Sequence, residues 1–319
     1  MPNRTILSSA LPTGSHLRAA LTGAPSGPAP ILIAAVLWGT TGTASSLAPA
    51  GAAPAAIGCA GLVLGGLLLF LTSRGAWSLL TRCERSHRWL LLLGALAVAG
   101  YPITFYPAVQ RTGVAVATVI ALGSAPVFTG LLAWAASGVR PTMHWAAATT
   151  AAVLGCGLLV LGPRLGQHAA PMDAMGVALA AGAGLSYAAY SLLGAKIINW
   201  GHSSDAVFGV MFGAAAALVL PAVLYYDTAW LGTVRGAAVA LHLAVFTVYL
   251  AYRLFGHGLR HTSAATATTL TLAEPAVAAL LGVTMLSERL SVVSWYGLAV
   301  LAIGLAVLTV PVKAGRPLR

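Results

Sequence analysis

The chain has 319 residues, of which 59% are hydrophobic and only 7% charged, against about 25% charged in soluble domains. So few charges cannot cover a soluble protein of this length, which excludes a water-soluble fold and points to a polytopic membrane protein. The net charge of +11 lies in short loops and tails, so it reads as an orientation bias rather than a nucleic-acid footprint.

Residues 1–29 are rich in Pro, Gly, Ser, Thr and Ala and lack a compact signal-peptide layout, so a disordered tail is expected there. Ten apolar segments follow at about 30–48, 53–72, 89–109, 113–136, 143–162, 174–197, 206–226, 236–257, 262–285 and 291–311. Each matches the roughly 20 residues that a spanning helix needs, and the class is therefore all-α with ten transmembrane helices. Ten crossings place both termini on one side. Twelve Lys and Arg residues then fall on that side, with Arg74, Arg82, Arg85 and Arg88 in a single loop, whereas Arg111, Arg164, Arg235 and Arg289 fall on the other. The bias predicts cytoplasmic termini in an inner or plasma membrane. Residues 312–319 form a short basic cytoplasmic tail.

A shift of 149 residues lays Thr112–Leu159 over His261–Leu308 and aligns Arg111 with Arg260, Pro126 with Pro275, Leu131 with Leu280 and Gly155 with Gly304. It also sets Trp38 over Tyr187. The chain is thus two five-helix repeats, at 30–164 and 165–311. Five is odd, so the copies must be inverted in the membrane, an arrangement typical of secondary transporters with a site near the midplane. Gly58, Gly61 and Gly65 in the second segment, with Gly155, Gly182, Gly297 and Gly304, allow close helix approach.

The LWGTTGTASS start of the first segment, the RTGVAVATVIALGSAPVF run and TLAEPAVAALLGVTMLSERLSVVSWYGLAVLAIGLAVL resemble the EamA-type branch of the drug/metabolite transporter superfamily over about 30–311. The resemblance implies a ten-helix inverted-repeat fold and, in many members, export of amino acids or related small metabolites. Two departures stand out. Members often carry an Arg in the second helix where this chain has Gly61, and the first repeat reads SGVRP where the second reads SERLS.

The residues that can carry chemistry are few. Glu274 lies mid-membrane, where a charge costs about 2.5–3.5 kcal/mol on insertion scales, and the first copy has Ala125 in its place. Pro275 lacks an N–H, so the Thr271 carbonyl is expected to lose its helical partner and to join Glu274 in binding an ammonium. Alternatively, Glu274 takes up and releases a proton, or simply ties helices together. Arg253 is the other intramembrane charge. It either snorkels to the interface or reaches Glu274 or a substrate carboxylate, across a depth difference of roughly 10 Å at 1.5 Å per residue. Trp38, Tyr101, Phe105, Tyr187, Tyr190, Tyr249 and Tyr252 are candidates for the cavity wall, and Pro126 and Pro275 for hinges. Cys59, Cys83 and Cys156 show no metal or disulfide spacing. No metal or cofactor is expected, no phosphate-binding loop is present, and no Ser–His pair or acid pair suggests an enzyme.

The expectation is a secondary transporter exporting a small amino acid-like or other organic metabolite by alternating access, with proton coupling through Glu274 as one option, the bilayer and a small-molecule substrate as partners and a monomeric or homodimeric state. The alternatives are an effluxer of lipophilic cations, a passive facilitator, and a non-transporting scaffold or receptor.

Overall fold

The computed structural model describes residues 27–138, 140–162, 173–287 and 289–310. The basic tail at 312–319, nearly all of the tail at 1–29, the boundary between the repeats at 164–165 and the turn acid Glu288 lie outside the described residues. The helices are α1 Ala29–Ser46, α2 Pro54–Thr72, α3 Ala76–Arg82, α4 Arg85–Thr112, α5 Val114–Ser137, α6 Met143–Leu161, α7 Ala174–Asn199 and α8 Ser204–Tyr225, followed by α9 Val234–Gly258, α10 Ala264–Leu270, α11 Ala273–Met285 and α12 Val292–Thr309. Among the described residues there is no strand, and nine helical spans are long and apolar enough to cross a membrane, with α10 and α11 together forming one of them. The remaining expected segment is α1, an 18-residue helix packed against α9 and α11.

Local sequence sets the helix starts. Proline opens α1 and α2, where its missing N–H costs nothing. Side-chain caps open later helices. Thr142 accepts from Trp145 N–H at 3.2 Å, Asp173 from Gly176 at 2.9 Å and Ser263 from Thr266 at 3.1 Å, each satisfying a donor that the first turn leaves free. The loop expected over 73–88 is not irregular throughout, because α3 lies within it with Trp77 exposed.

The packing has the symmetry of an exchange between two copies. Helix α2 packs on α8, and α6 on α12, each against its own counterpart. The remaining main contacts come in matched pairs: α4 with α7 answers α9 with α1, and α5 with α7 answers α11 with α1. A pseudo-twofold relation between the repeats accounts for these pairings. The repeat-matched glycines sit where that relation requires. A Cβ on Gly155 would collide with the Leu301 backbone, and one on Gly304 would come within 2.7 Å of the Ala152 nitrogen. The α6–α12 interface is therefore a backbone-to-backbone contact that only hydrogen side chains permit.

Gly61, at the position where members of the resembled family often carry an Arg, faces Leu243 of α9, and a Cβ there would lie 2.9 Å from the Leu243 Cβ. Gly65 faces Val248 one turn on. These glycines let α2 lie against a stretch of α9 from Leu243 to Leu250 that is wound as a π-helix, a wide turn often found near functional sites.

Candidate functional site

Helices α10 and α11 meet end to end at Thr271–Leu272, directly after a run of threonines whose hydroxyls bond back to the helix. Thr268 and Thr269 donate their hydroxyls to the carbonyls of Ala264 and Ala265, both at 3.0 Å, and Thr271 donates to the Thr268 carbonyl at 2.9 Å. Such bonds compete with the helical ladder and bend it. Pro275 then removes the next N–H.

The Thr271 carbonyl is nevertheless not free, contrary to the sequence expectation. It accepts the Glu274 N–H at 3.0 Å, because a tighter three-residue turn supplies the donor that Pro275 lacks. The Thr271 hydroxyl is occupied as well, accepting from the Tyr187 hydroxyl at 2.9 Å. Thr271 is buried and acts as a junction between α7 and the broken span.

Glu274 itself is half-buried, and no hydrogen bond or ion pair engages its carboxylate among the described residues. Tyr101, Tyr187, Tyr252 and Cys156 lie in its neighbourhood. The first helix passes just beside it. Gly39 has no room for a Cβ, which would lie 2.6 Å from the Val277 Cβ and 3.0 Å from the Glu274 carbonyl oxygen. The preceding residue, Trp38, donates its indole N–H to the Thr247 carbonyl at 2.7 Å, inside the π-helical stretch of α9.

Aromatic rings surround this junction. Trp38 lies 5.0 Å from Tyr252, 5.5 Å from Phe255 and 6.4 Å from Tyr187 between ring centroids. Tyr101 stands edge-on to Tyr187 at 6.5 Å and stacks on Phe105 at 5.4 Å. The Tyr190 and Tyr252 hydroxyls bond to each other at 2.8 Å. Trp38, Tyr101, Phe105, Tyr187, Tyr190, Tyr252, Thr271 and Glu274 therefore form one linked group contributed by α1, α4, α7, α9 and the α10–α11 break. The Tyr101 hydroxyl makes no hydrogen bond among the described residues and remains available as a donor. An unpaired carboxylate, a free hydroxyl and aromatic faces can together hold an ammonium group by charge and by cation–π attraction, and the same carboxylate can carry a proton.

Arg253 and Tyr249 do not join this group. Arg253 donates to an Asp205 carboxylate oxygen and to the Tyr249 hydroxyl, both at 2.7 Å, so its ion-pair partner is Asp205 and not Glu274. The depth difference noted from sequence is the reason: α9 carries Arg253 toward the end where α2 stops and α8 begins, and Asp205 in the first turn of α8 is already there. The two prolines also part company. Pro275 adjoins the broken span, whereas Pro126 lies inside α5, which continues unbroken through it. Sequence reasoning passed over Phe208, Phe212 and Phe255, which back the aromatic group from α8 and α9, because phenylalanine in an apolar segment carries no signal of its own. It also passed over Asp205, which the estimated segment boundary left in a loop.

Comparison with known proteins bears on this arrangement. The family described as EamA-like transporter family matches twice, over residues 26–161 and 174–310. The uncharacterized transporter YwfM of Bacillus subtilis is 39% identical over 280 residues, covering 88% of this chain and 92% of that protein. The threonine/homoserine exporter RhtA is 31% identical in Salmonella typhimurium, covering 72% of this chain and 73% of that one, and 30% identical in Escherichia coli K12, covering 83% and 85%. One solved crystal structure superposes with a TM-score of 0.72 at 20% identity, over 88% of this chain and 96% of its own, which is a likeness of fold.

Proposed function

This chain belongs to the EamA-like transporter family, and from that premise we propose that it exports a small amino acid-like metabolite from the cytoplasm by alternating access. The observation that carries the reading is Glu274, a carboxylate without a protein partner among the described residues, set beside a broken helix and an aromatic wall. In this mechanism Glu274 binds the substrate ammonium or a proton, but not both at once, so proton entry from outside displaces the substrate outward. Tyr101 donates its hydroxyl to the substrate, and Trp38, Phe105, Tyr187, Tyr190 and Tyr252 shape the space around it. Thr271 holds Tyr187 in place, and the α10–α11 break gives the second repeat a hinge as the halves rock. The termini face the cytoplasm of the cell membrane, consistent with the basic loop at 73–88.

The similarity to RhtA, named as a threonine/homoserine exporter, supports hydroxylated amino acids as the first substrates to test. The aromatic wall would also suit a lipophilic cation. Purified protein in proteoliposomes, with labelled threonine, homoserine, other amino acids and a cationic dye loaded separately, distinguishes these readings. Uphill movement of amino acids under a pH gradient supports the proposal. Movement of the dye alone replaces the substrate class, and downhill movement only, whatever the gradient, replaces the exporter with a facilitator.

A further inference from the structure

At the Arg-rich end, where α2 stops, α8 starts and α9 nears its end, a polar cup of about 430 Å³ is lined by Ser73, Arg74, Ser203, Asp205, Tyr249 and Arg253. The proposed transport mechanism uses none of these residues. Asp205 is matched by Arg253, so the net positive charge of the cup is carried by Arg74, whose guanidinium makes no ion pair or hydrogen bond among the described residues. Arg253 spends one donor on Asp205 and one on Tyr249, leaving others of its five free. The Ser73 hydroxyl is buried without any hydrogen-bond partner, and Ser203 does not cap α8 with its side chain. Two guanidinium groups and the Ser203 hydroxyl around one space are donors in search of an oxyanion.

The surroundings identify the kind of oxyanion. Beyond the cup, α2 carries the exposed Leu64 and Leu71, and α9, packed against it, carries the exposed Phe246 and Leu250. Nearby, α3 presents Trp77 outward, and Arg82, Arg85 and Arg88 add positive charge at the same end. A polar cup with free positive charge at the membrane boundary, on two packed helices that also present exposed apolar side chains, complements a lipid at both its ends. We propose that this cup binds the phosphate of an anionic phospholipid, with an acyl chain lying along the α2–α9 seam, and that Arg74 is the main specificity residue. The site is independent of the substrate site and stands or falls separately from the transport reading.

Delipidated full-length protein, titrated with phosphatidylglycerol and with phosphatidylcholine and read by native mass spectrometry and melting temperature, tests this directly. Phosphatidylglycerol should bind about tenfold more tightly, because both lipids offer the phosphate but the quaternary ammonium of phosphatidylcholine would be repelled by Arg74 and Arg253. Arg74→Gln should remove most of that preference without changing the melting temperature of the lipid-free protein. Arg85→Gln, at the same end but outside the cup, should leave the preference intact. Equal affinity for the two lipids, a preference that survives Arg74→Gln, or an equal loss with Arg85→Gln overturns the site. If soluble glycerol 3-phosphate stabilises the protein as much as phosphatidylglycerol at equal concentration, the occupant is a free anion and the lipid assignment is wrong.

Discussion

Pro126 and Pro275 occupy the same place in the two repeats, yet α5 runs through the first unbroken while the second adjoins a break and a free carboxylate. Proline alone therefore does not open a helix here. The difference lies in the residues just before it: Thr268, Thr269 and Thr271 in the second copy stand where the first has Val119, Ile120 and Leu122. The threonine hydroxyls add a second donor to carbonyls of the preceding turn, which the aliphatic residues cannot do. The acid follows the same division, because Ala125 is fully buried against its neighbours whereas Glu274 is reached by the aromatic group. The second repeat supplies the acid and the break, while the first contributes Trp38, Tyr101 and Phe105 to the same aromatic group.

That contrast can be broken most severely by giving the first copy the acid of the second. Ala125→Glu places an unpartnered carboxylate in a site without room or donors, and should cost about 3 kcal/mol or more of stability, seen as a collapse of the melting temperature in detergent. Combined with Glu274→Ala, it should not restore transport. The shared frame should be nearly as sensitive. Gly155→Val drives a side chain into the Leu301 backbone and should cost about 1–3 kcal/mol, while Gly157→Ala, with open space around it, should leave the melting curve in place.

Much of this division was legible in the sequence. The 149-residue shift exposed the repeat and the asymmetry of Ala125 and Glu274, and apolar run lengths located the spans. Trp38, Tyr101, Tyr187, Tyr249 and Tyr252 stood out because large polar aromatics deep in a span differ from those at its ends, but depth could not tell that Tyr249 bonds Arg253 outside the group. What stayed hidden depends on contacts between distant residues. The spacing of Arg253 and Glu274 left a bridge open, but only the fold brings Asp205 to Arg253 across 48 positions. The π-helical stretch of α9 has no local signal, since glycines on another helix, Gly61 and Gly65, make the space it fills. The freed Thr271 carbonyl failed as an expectation because a proline can be accommodated by a local three-residue turn.

Smaller changes sharpen the comparison. Thr271→Val makes the second copy resemble the first and leaves the buried Tyr187 hydroxyl without its acceptor, which should cost about 1–3 kcal/mol and slow transport as Tyr187 loses its anchor. Hydrogen exchange across 264–285 would show whether the span becomes more continuous. Arg253→Gln should matter least. Its pair with Asp205 is more than one-third exposed on both sides and should contribute about 1 kcal/mol or less. Flux per folded molecule should stay at the wild-type level, whereas a loss of flux would return Arg253 to the substrate path.

The most direct test compares pH-gradient-driven amino acid movement in proteoliposomes for the wild type and Glu274→Gln, with the amount of folded, inserted protein matched. The account predicts uphill accumulation in the wild type and none in Glu274→Gln, since an amide can neither take up the proton nor pair with the ammonium. Accumulation by Glu274→Gln that still follows the pH gradient would contradict it.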